Sequence, residues 1–247
     1  MPARDTPMAD RYFVETKITG DRALLVEEEA RHLARVMRAR PGDRVTLFDG
    51  SGVEYTARVT ELRRDEVELK IVARDQIDRE LPFRLRLAVA LPKGDRQRWL
   101  VEKAVELGVA QITPLRTARS IAQPGEKALR RMTRWVIDAS KQCGRNRLME
   151  IARPQTWSDL LADSAAVGLR IYAHPGGKGQ ARADRVDPTA SDVLAAVGPE
   201  GGFTPDEVDA ARRAGWQPID LGPRTLRVET AAVVLATLLA ASHGVIQ

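Results

Sequence analysis

A single cysteine, Cys143, is all the thiol this chain of 247 residues holds, so an internal disulfide is excluded and a reducing compartment is expected. No run of about 20 apolar residues occurs, and the nearest candidate, residues 231–241, is short and bounded by Glu229 and His243. No membrane partner is therefore expected. Residues 1–11 include Arg4, Asp5, Asp10 and Arg11 and no apolar stretch, so no secretory leader is expected and the cytoplasm is the default location. The three histidines, His32, His174 and His243, stand far apart and no C-x-x-C exists, which leaves little support for a metal site. Neither G-x-G-x-x-G nor G-x-S-x-G is present, so the dinucleotide fingerprint and the nucleophile elbow are both missing. Gly176-Gly177-Lys178-Gly179 lacks phosphate-loop spacing and reads as part of a flexible loop over residues 175–190.

Hydrophobic residues make up 43% of the chain, enough for a packed core, and the net charge is +5. That charge is concentrated. Residues 116–153 hold ten bases and three acids, a net +7, which leaves −2 for everything else. A patch of this kind is the electrostatic footprint of a polyanion, although a solvated helix face has the same composition.

Two patterns follow one another. Residues 12–14, 23–26, 45–48, 53–60 and 67–72 read as short strands separated by Pro41-Gly42, Asp49-Gly50 and Arg63-Arg64-Asp65. One helix interrupts them, with Ala30, Leu33, Val36 and Met37 on one face and Arg31, Arg35 and Arg38 on the other. A small β-barrel with an inserted helix is expected over residues 1–75, followed by a linker at 76–84. From residue 85 to 247, strands (85–91, 111–115, 171–173, 193–197, 219–221) alternate with helices (95–107, 126–142, 205–214, 229–243). That alternation predicts an α/β domain, a mostly parallel sheet covered by helices. In helix 126–142, Leu129, Met132, Val136, Ala139 and Cys143 form a core stripe, and Lys127, Arg130, Arg134 and Lys141 form a row of cations suited to phosphates.

Chemistry is expected in two glycine-rich loops. Gly198-Pro199-Glu200-Gly201-Gly202-Phe203-Thr204 follows one strand and leads into a helix start of N-cap Thr204, Pro205 and capping-box Glu207. Leu221-Gly222-Pro223-Arg224-Thr225-Leu226-Arg227-Val228-Glu229-Thr230-Ala231 follows another. Strand–loop–helix junctions are where open α/β sheets bind ligands, and glycine lets the backbone approach them closely.

These loops resemble the cofactor loops of the knotted SPOUT methyltransferases, and within them the family that methylates N3 of a uridine in small-subunit (16S) rRNA. The resemblance runs over nearly the whole chain. Tyr12-Phe13-Val14 and the block Arg31-His32-Leu33-Ala34-Arg35-Val36-Met37-Arg38 are similar to that family's PUA-like N-terminal domain. Leu91-Pro92-Lys93-Gly94-Asp95-Arg96, Glu106-Leu107-Gly108-Val109, Arg119-Ser120 and Gln142-Cys143-Gly144-Arg145-Asn146-Arg147 are similar to its central blocks. Two departures stand outside the cofactor loops: Lys141, where the family usually has an acid, and Met149, where it often has proline.

The resemblance implies a deep trefoil knot in the C-terminal domain, a homodimer, and S-adenosylmethionine as methyl donor with no metal. It implies the small ribosomal subunit as substrate, with another rRNA or tRNA site, or a non-catalytic assembly factor, as alternatives. By the same resemblance His174, Pro175, Gly198, Glu200, Gly201, Gly202, Leu221, Gly222, Leu226 and Arg227 cradle the cofactor. Loss of the N3 proton calls for a base or an anion-stabilising cation. Glu200 is the candidate base and Arg227 the candidate cation, with structural roles for both as the alternative. Arg11, Arg31, Arg35 and Arg38 in the first domain, and Arg119 and Arg145 in the second, are the candidate RNA contacts.

Overall fold

The computed structural model describes residues 11–121, 124–175, 181–182 and 189–245. The loop expected over residues 175–190 lies mostly outside that description. Two compact units divide the chain: Met1–Glu80 with Ser140–Leu148, and Leu81–Ala139 with Met149–Gln247. No helix among the described residues is long and apolar enough to cross a membrane.

The first unit is a five-stranded sheet in the order β1-β3-β4-β5-β2, built from Arg11–Phe13 (β1), Arg22–Val26 (β2), Arg44–Phe48 (β3), Val53–Leu62 (β4) and Glu66–Gln76 (β5). β1 runs parallel to β3 and the other pairings are antiparallel. Alternate residues of β4 and β5, among them Tyr55, Ala57, Val59, Val67 and Leu69, point into one core with Tyr12, Leu25, Leu33 and Leu47. This is the period-2 burial of a sheet with one wet face. Asp49 sits in that fabric, accepting from the backbone N–H groups of Ile18 and Ser51, both at 2.9 Å. Burial alone would raise its pKa, but these hydrogen bonds and the charge of Lys17 hold it below the ordinary carboxylate value.

The inserted helix departs from expectation. Ala30 and Leu33 are buried, whereas Val36 and Met37 are 65% and 43% exposed. The cause is a change of period: α1 (Glu27–Arg31) passes into a π-helical turn at His32–Val36, where the Met37 N–H donates to the His32 carbonyl five residues back. Wider turns rotate later residues off the face that 3.6-residue spacing assigns them. Arg38, at φ +55°, then ends the turn.

Residues 140–148 belong to this unit through polar contacts. Arg145 Nε donates to Glu80 at 3.0 Å, Arg79 Nη1 to the Gly144 carbonyl at 2.9 Å, and Asn146 Nδ2 to the Ile77 carbonyl at 3.2 Å. Lys141, expected in the cation row, instead pairs with Glu29 at 2.7 Å and lies over the Tyr12 ring.

The second unit holds a mostly parallel sheet whose central path is β10-β12-β6-β7, from Leu169–Ala173 (β10), Asp192–Val197 (β12), Arg84–Val89 (β6) and Gln111–Arg116 (β7). Gln217–Asp220 (β13) pairs parallel with β10 on the other side, Ala181–Arg182 (β11) with β13, and the short Glu150–Ile151 (β8) and Gln155–Thr156 (β9) with β7. Residues 193–197 are all buried, as expected of a central strand covered on both faces. The helices are α2 (Arg96–Glu106), α3 (Glu126–Cys143), α4 (Trp157–Asp163), α5 (Pro205–Arg213) and α6 (Val228–Ser242). In α3, Met132, Val136 and Ala139 are buried while Lys127, Arg130, Arg131 and Arg134 are exposed. The short α4, capped by Thr156, has no counterpart in the expected elements.

Candidate functional site

Strand register decides where the site lies. Ala173 is level with Val197 on one side and with Ile219 on the other, so three parallel strands end at one edge of the sheet. The loops after β10, β12 and β13 therefore leave side by side, in the position where open α/β sheets take their ligands. Between them is a cavity of about 340 Å³, within the range of small-molecule sites.

His174, Pro175, Gly198, Glu200, Gly201, Gly202, Leu221, Gly222 and Leu226 all line it. Arg227 does not. It is the exposed N-cap residue of α6, with its carbonyl accepting from Ala231 N–H at 2.8 Å.

The first glycine loop is braced from below and from the side. Thr204 and Glu207 form the expected capping box, and Glu207 does more than cap. One of its oxygens accepts from Thr204 N–H at 2.8 Å and the other from Ala118 N–H at 2.8 Å, tying the 117–120 turn to the start of α5. Within the loop, Gly202 N–H reaches the Pro199 carbonyl at 2.8 Å, and Gly202 adopts φ +67°. A Cβ at Gly198 would stand 3.0 Å from the Phe203 ring, close enough that the ring must give way. Phe203 in turn packs on Trp157 at 4.6 Å, part of an aromatic cluster with Tyr172 and Trp216. The second loop is tied by Gly222 N–H to Asp220 Oδ1 at 2.9 Å, with Gly222 at φ +109°.

Two polar groups at the cavity carry the electrostatics. Burial pushes the His174 imidazole below its ordinary pKa, with the charge of Arg212 adding to the shift, so the ring is neutral at pH 7. Its buried Nδ1 has no hydrogen-bond partner among the described residues. Glu200 lies at the rim, 3.4 Å from Arg96 Nη1. The same Arg96 nitrogen is 3.7 Å from Glu229, so Glu229 faces Arg96 rather than Arg227. Backbone donors from glycine loops, a neutral imidazole and an apolar lining suit an uncharged adenosine moiety with polar hydroxyls.

Comparison with known proteins agrees with this geometry. Residues 79–240 match the RNA methyltransferase domain family and residues 25–72 the RNA methyltransferase PUA domain family. The ribosomal RNA small subunit methyltransferase E of Bacillus subtilis is 30% identical over 235 residues, covering 90% of this chain and 92% of the relative. The chain belongs to the ribosomal RNA small subunit methyltransferase E family. A structure of the Neisseria gonorrhoeae family member bound to S-adenosyl methionine superposes with a TM-score of 0.86 at 30% identity, covering 96% of this chain and 98% of that one. A Legionella pneumophila protein solved with the cofactor SAM gives 0.87 at 32% identity, covering 94% and 97%.

For the RNA-facing candidates the structure separates two groups. Arg31, Arg35 and Arg38 are exposed around the π-helical turn. Arg119 is exposed too, but its guanidinium donates to the Gly201 carbonyl. Arg11 and Arg145 are 9% and 3% exposed. Arg11 pairs with Glu54 and donates to Asn146 Oδ1 at 2.8 Å, and Arg145 pairs with Glu80. Within their own unit both are buried in ion pairs, unlike the exposed Arg31, Arg35 and Arg38. Sequence reasoning did not single out Arg96 or the second oxygen of Glu207. Arg96 closes the Lys93-Gly94-Asp95-Arg96 stretch after β6, which marks a loop end, but its two carboxylate neighbours are more than 100 positions away.

Proposed function

We infer that this protein transfers a methyl group from S-adenosylmethionine to N3 of a uridine in small-subunit rRNA. The observation that carries the reading is the convergence of His174, Pro175 and both glycine loops on one cavity, in a chain of this family. The donor, when bound, supplies a methyl already activated on a sulfonium. The chain's own part is to hold and orient the partners and to manage one proton. The glycine loops present backbone N–H and carbonyl groups, Leu221 and Leu226 give the cavity apolar walls, and neutral His174 offers a hydrogen bond without a charge. Glu200 takes the N3 proton, and a nearby arginine stabilises the anionic base. N3 lies on the pairing edge, so the uridine enters unpaired or flipped out.

The deciding experiment mixes the protein with labelled S-adenosylmethionine and small subunits lacking the modification, then identifies the labelled nucleoside by mass spectrometry. Label in 3-methyluridine at one site is expected. Label in a different nucleoside, or only in tRNA, overturns the substrate assignment; no cofactor binding overturns the enzyme reading. Glu200→Gln is expected to lower turnover by about 10²-fold or more, the scale of a general base, with a smaller change in cofactor affinity. An unchanged rate removes Glu200 from the base role.

RNA docking on the first unit is assigned to Arg31, Arg35 and Arg38, and on the second to the exposed cations of α3. Changing all three first-unit arginines to glutamine is expected to flatten the plot of log affinity against log salt by roughly 0.7 to 0.9 for each phosphate no longer neutralised. Cofactor affinity should not move. A slope equal to that of the wild type would discard this surface.

A homodimer and the trefoil threading belong to the same proposal. Supporting the dimer, α6 leaves Val233, Val234 and Leu238 only partly covered, and α2, packed beside it, exposes Trp99 at 41%. A second copy would cover that apolar stripe. An rRNA substrate also implies a cytoplasmic location.

A further inference from the structure

Glu229 is 6% exposed and its Oε2 accepts no hydrogen bond among the described residues. A buried carboxylate left in that state is costly, and the positive end of the α6 dipole, in whose first turn Glu229 sits, offsets only part of the cost. Its one cation among the described residues is Arg96, whose Nη1 stands 3.7 Å away. That nitrogen is also 3.4 Å from Glu200 Oε1. Charge-assisted N–H···O bonds close at roughly 2.7–2.9 Å, so Arg96 lies between two carboxylates and fully satisfies neither.

The two carboxylates are unequal. Glu200 is on the glycine loop with its side chain 48% exposed, where water solvates it and an ion pair contributes little. Glu229 has its side chain 8% exposed and little water to turn to. A shift of Arg96 by about 1 Å would complete the buried pair at a distance typical of charge-assisted bonds and release Glu200.

We propose that Glu229 is a positioning residue: its buried carboxylate draws Arg96 away from Glu200 when the cavity fills, leaving Glu200 free to accept a proton. The inference rests on the base role proposed for Glu200. With Arg96 on Glu200, the carboxylate is masked as an ion pair. With Arg96 on Glu229, an oxygen of Glu200 is open to the uracil N3–H. The proton that leaves N3 goes to that carboxylate and then to solvent, and the electron pair it leaves on N3 is the one that takes the methyl, whose C–S bond would break with its pair left on sulfur. The uracil N3–H, once seated against Glu200, takes the place of Arg96 as its hydrogen-bond partner and so supplies the bias. Arg96 keeps one ionic partner in either state, and Glu200 exchanges the guanidinium for the N3–H that it deprotonates.

The test is a double-mutant cycle with a structural readout beside it. Glu229→Gln keeps the shape and removes the charge. It is expected to lower kcat about 10- to 100-fold, part of the general-base contribution, with cofactor affinity measured by calorimetry changed less than about threefold. In the Glu200→Gln background the same substitution should cost less than about threefold, because there is no longer a base to unmask. Glu229→Asp, which keeps the charge, should recover part of the lost rate. Equal costs in both backgrounds would mark Glu229 as merely structural and overturn the proposal. So would a loss of cofactor affinity as large as the loss of rate, or dissociation of an oligomer by Glu229→Gln.

Independently of activity, crystal structures of the full chain, empty and with S-adenosylhomocysteine and uridine monophosphate together, should show Arg96 closing on Glu229 to about 2.9 Å in the filled state. Arg96 remaining on Glu200 in both would end the idea. If Arg96 moves but small subunits are not methylated, the substrate assignment fails and the positioning device stands.

Discussion

Gly222→Val will abolish measurable S-adenosylmethionine binding while the protein stays folded. Gly222 adopts φ +109°, a conformation that side-chain-bearing residues rarely hold and β-branched residues hold worst. A Cβ at this position would meet nothing within 4 Å, so the penalty is backbone strain and not collision. Such strain costs of order 1–3 kcal/mol, with valine at the upper end. The loop can escape by returning to negative φ, which breaks the Gly222 N–H bond to Asp220 and swings Leu221 and Leu226 off the cavity wall. Each 1.4 kcal/mol is about tenfold in affinity, so backbone strain and a displaced lining together put binding beyond ordinary titration. Gly222 is exposed, so the core survives. Calorimetric titration with the cofactor and circular dichroism of the same sample make the check. Binding within threefold of wild type would mean that this loop does not hold the ligand. Gly198→Ala is a control with a different physical origin: its Cβ would press on Phe203 and through it on Trp157, an overpacking effect of about 1–3 kcal/mol that appears as reduced stability as well as reduced affinity.

The glycine loops were legible because their signals are local. Apolar runs, glycines and the Thr204–Glu207 box lie within a few residues of each other, and the strands around them fall within a residue or two of expectation. The sheet of the first unit was legible for the same reason, alternation with turns between. Val36 and Met37 were misplaced because a π-helical turn has no sequence signature that 3.6-residue spacing can detect. The Arg96–Glu200–Glu229 group was invisible for want of range. Arg96 and Glu200 are neighbours because β6 and β12 pair in parallel, Glu229 joins them because α6 packs beside α2, and no local window contains either arrangement. Charge counting overstated the patch by two residues. The segment 116–153 is basic, yet Lys141 and Arg145 are held by Glu29 and Glu80 of the first unit, whose sequence lies outside the window that was summed. Eight of the segment's ten cations are exposed, four of them along the first half of α3 and the others at Arg116, Arg119, Arg147 and Arg153.

Arg145→Ala decides between the two meanings of a basic residue in such a segment. If Arg145 were an RNA contact, its removal would weaken RNA binding and leave stability within about 0.5 kcal/mol, as for most surface changes. The structure predicts the opposite. The Arg145 side chain is 4% exposed against Glu80 at 19%, and it is joined through its own carbonyl and Asn146 to Arg11, which pairs with Glu54. Removing one member of a buried pair strands the other, and such losses run to about 3–5 kcal/mol. Here the stranded carboxylate keeps some access to water, so a value nearer 3 kcal/mol is expected. Urea unfolding of the first-unit signal in Arg145→Ala should show the loss, and Arg145→Met with Glu80→Gln should recover much of it by removing both charges together. Arg35→Ala, measured alongside, should leave the unfolding curve in place and weaken RNA binding instead. Should Arg145→Ala unfold like the wild type and lose RNA affinity, Arg145 would return to the RNA-binding surface and the ion pair with Glu80 would be incidental.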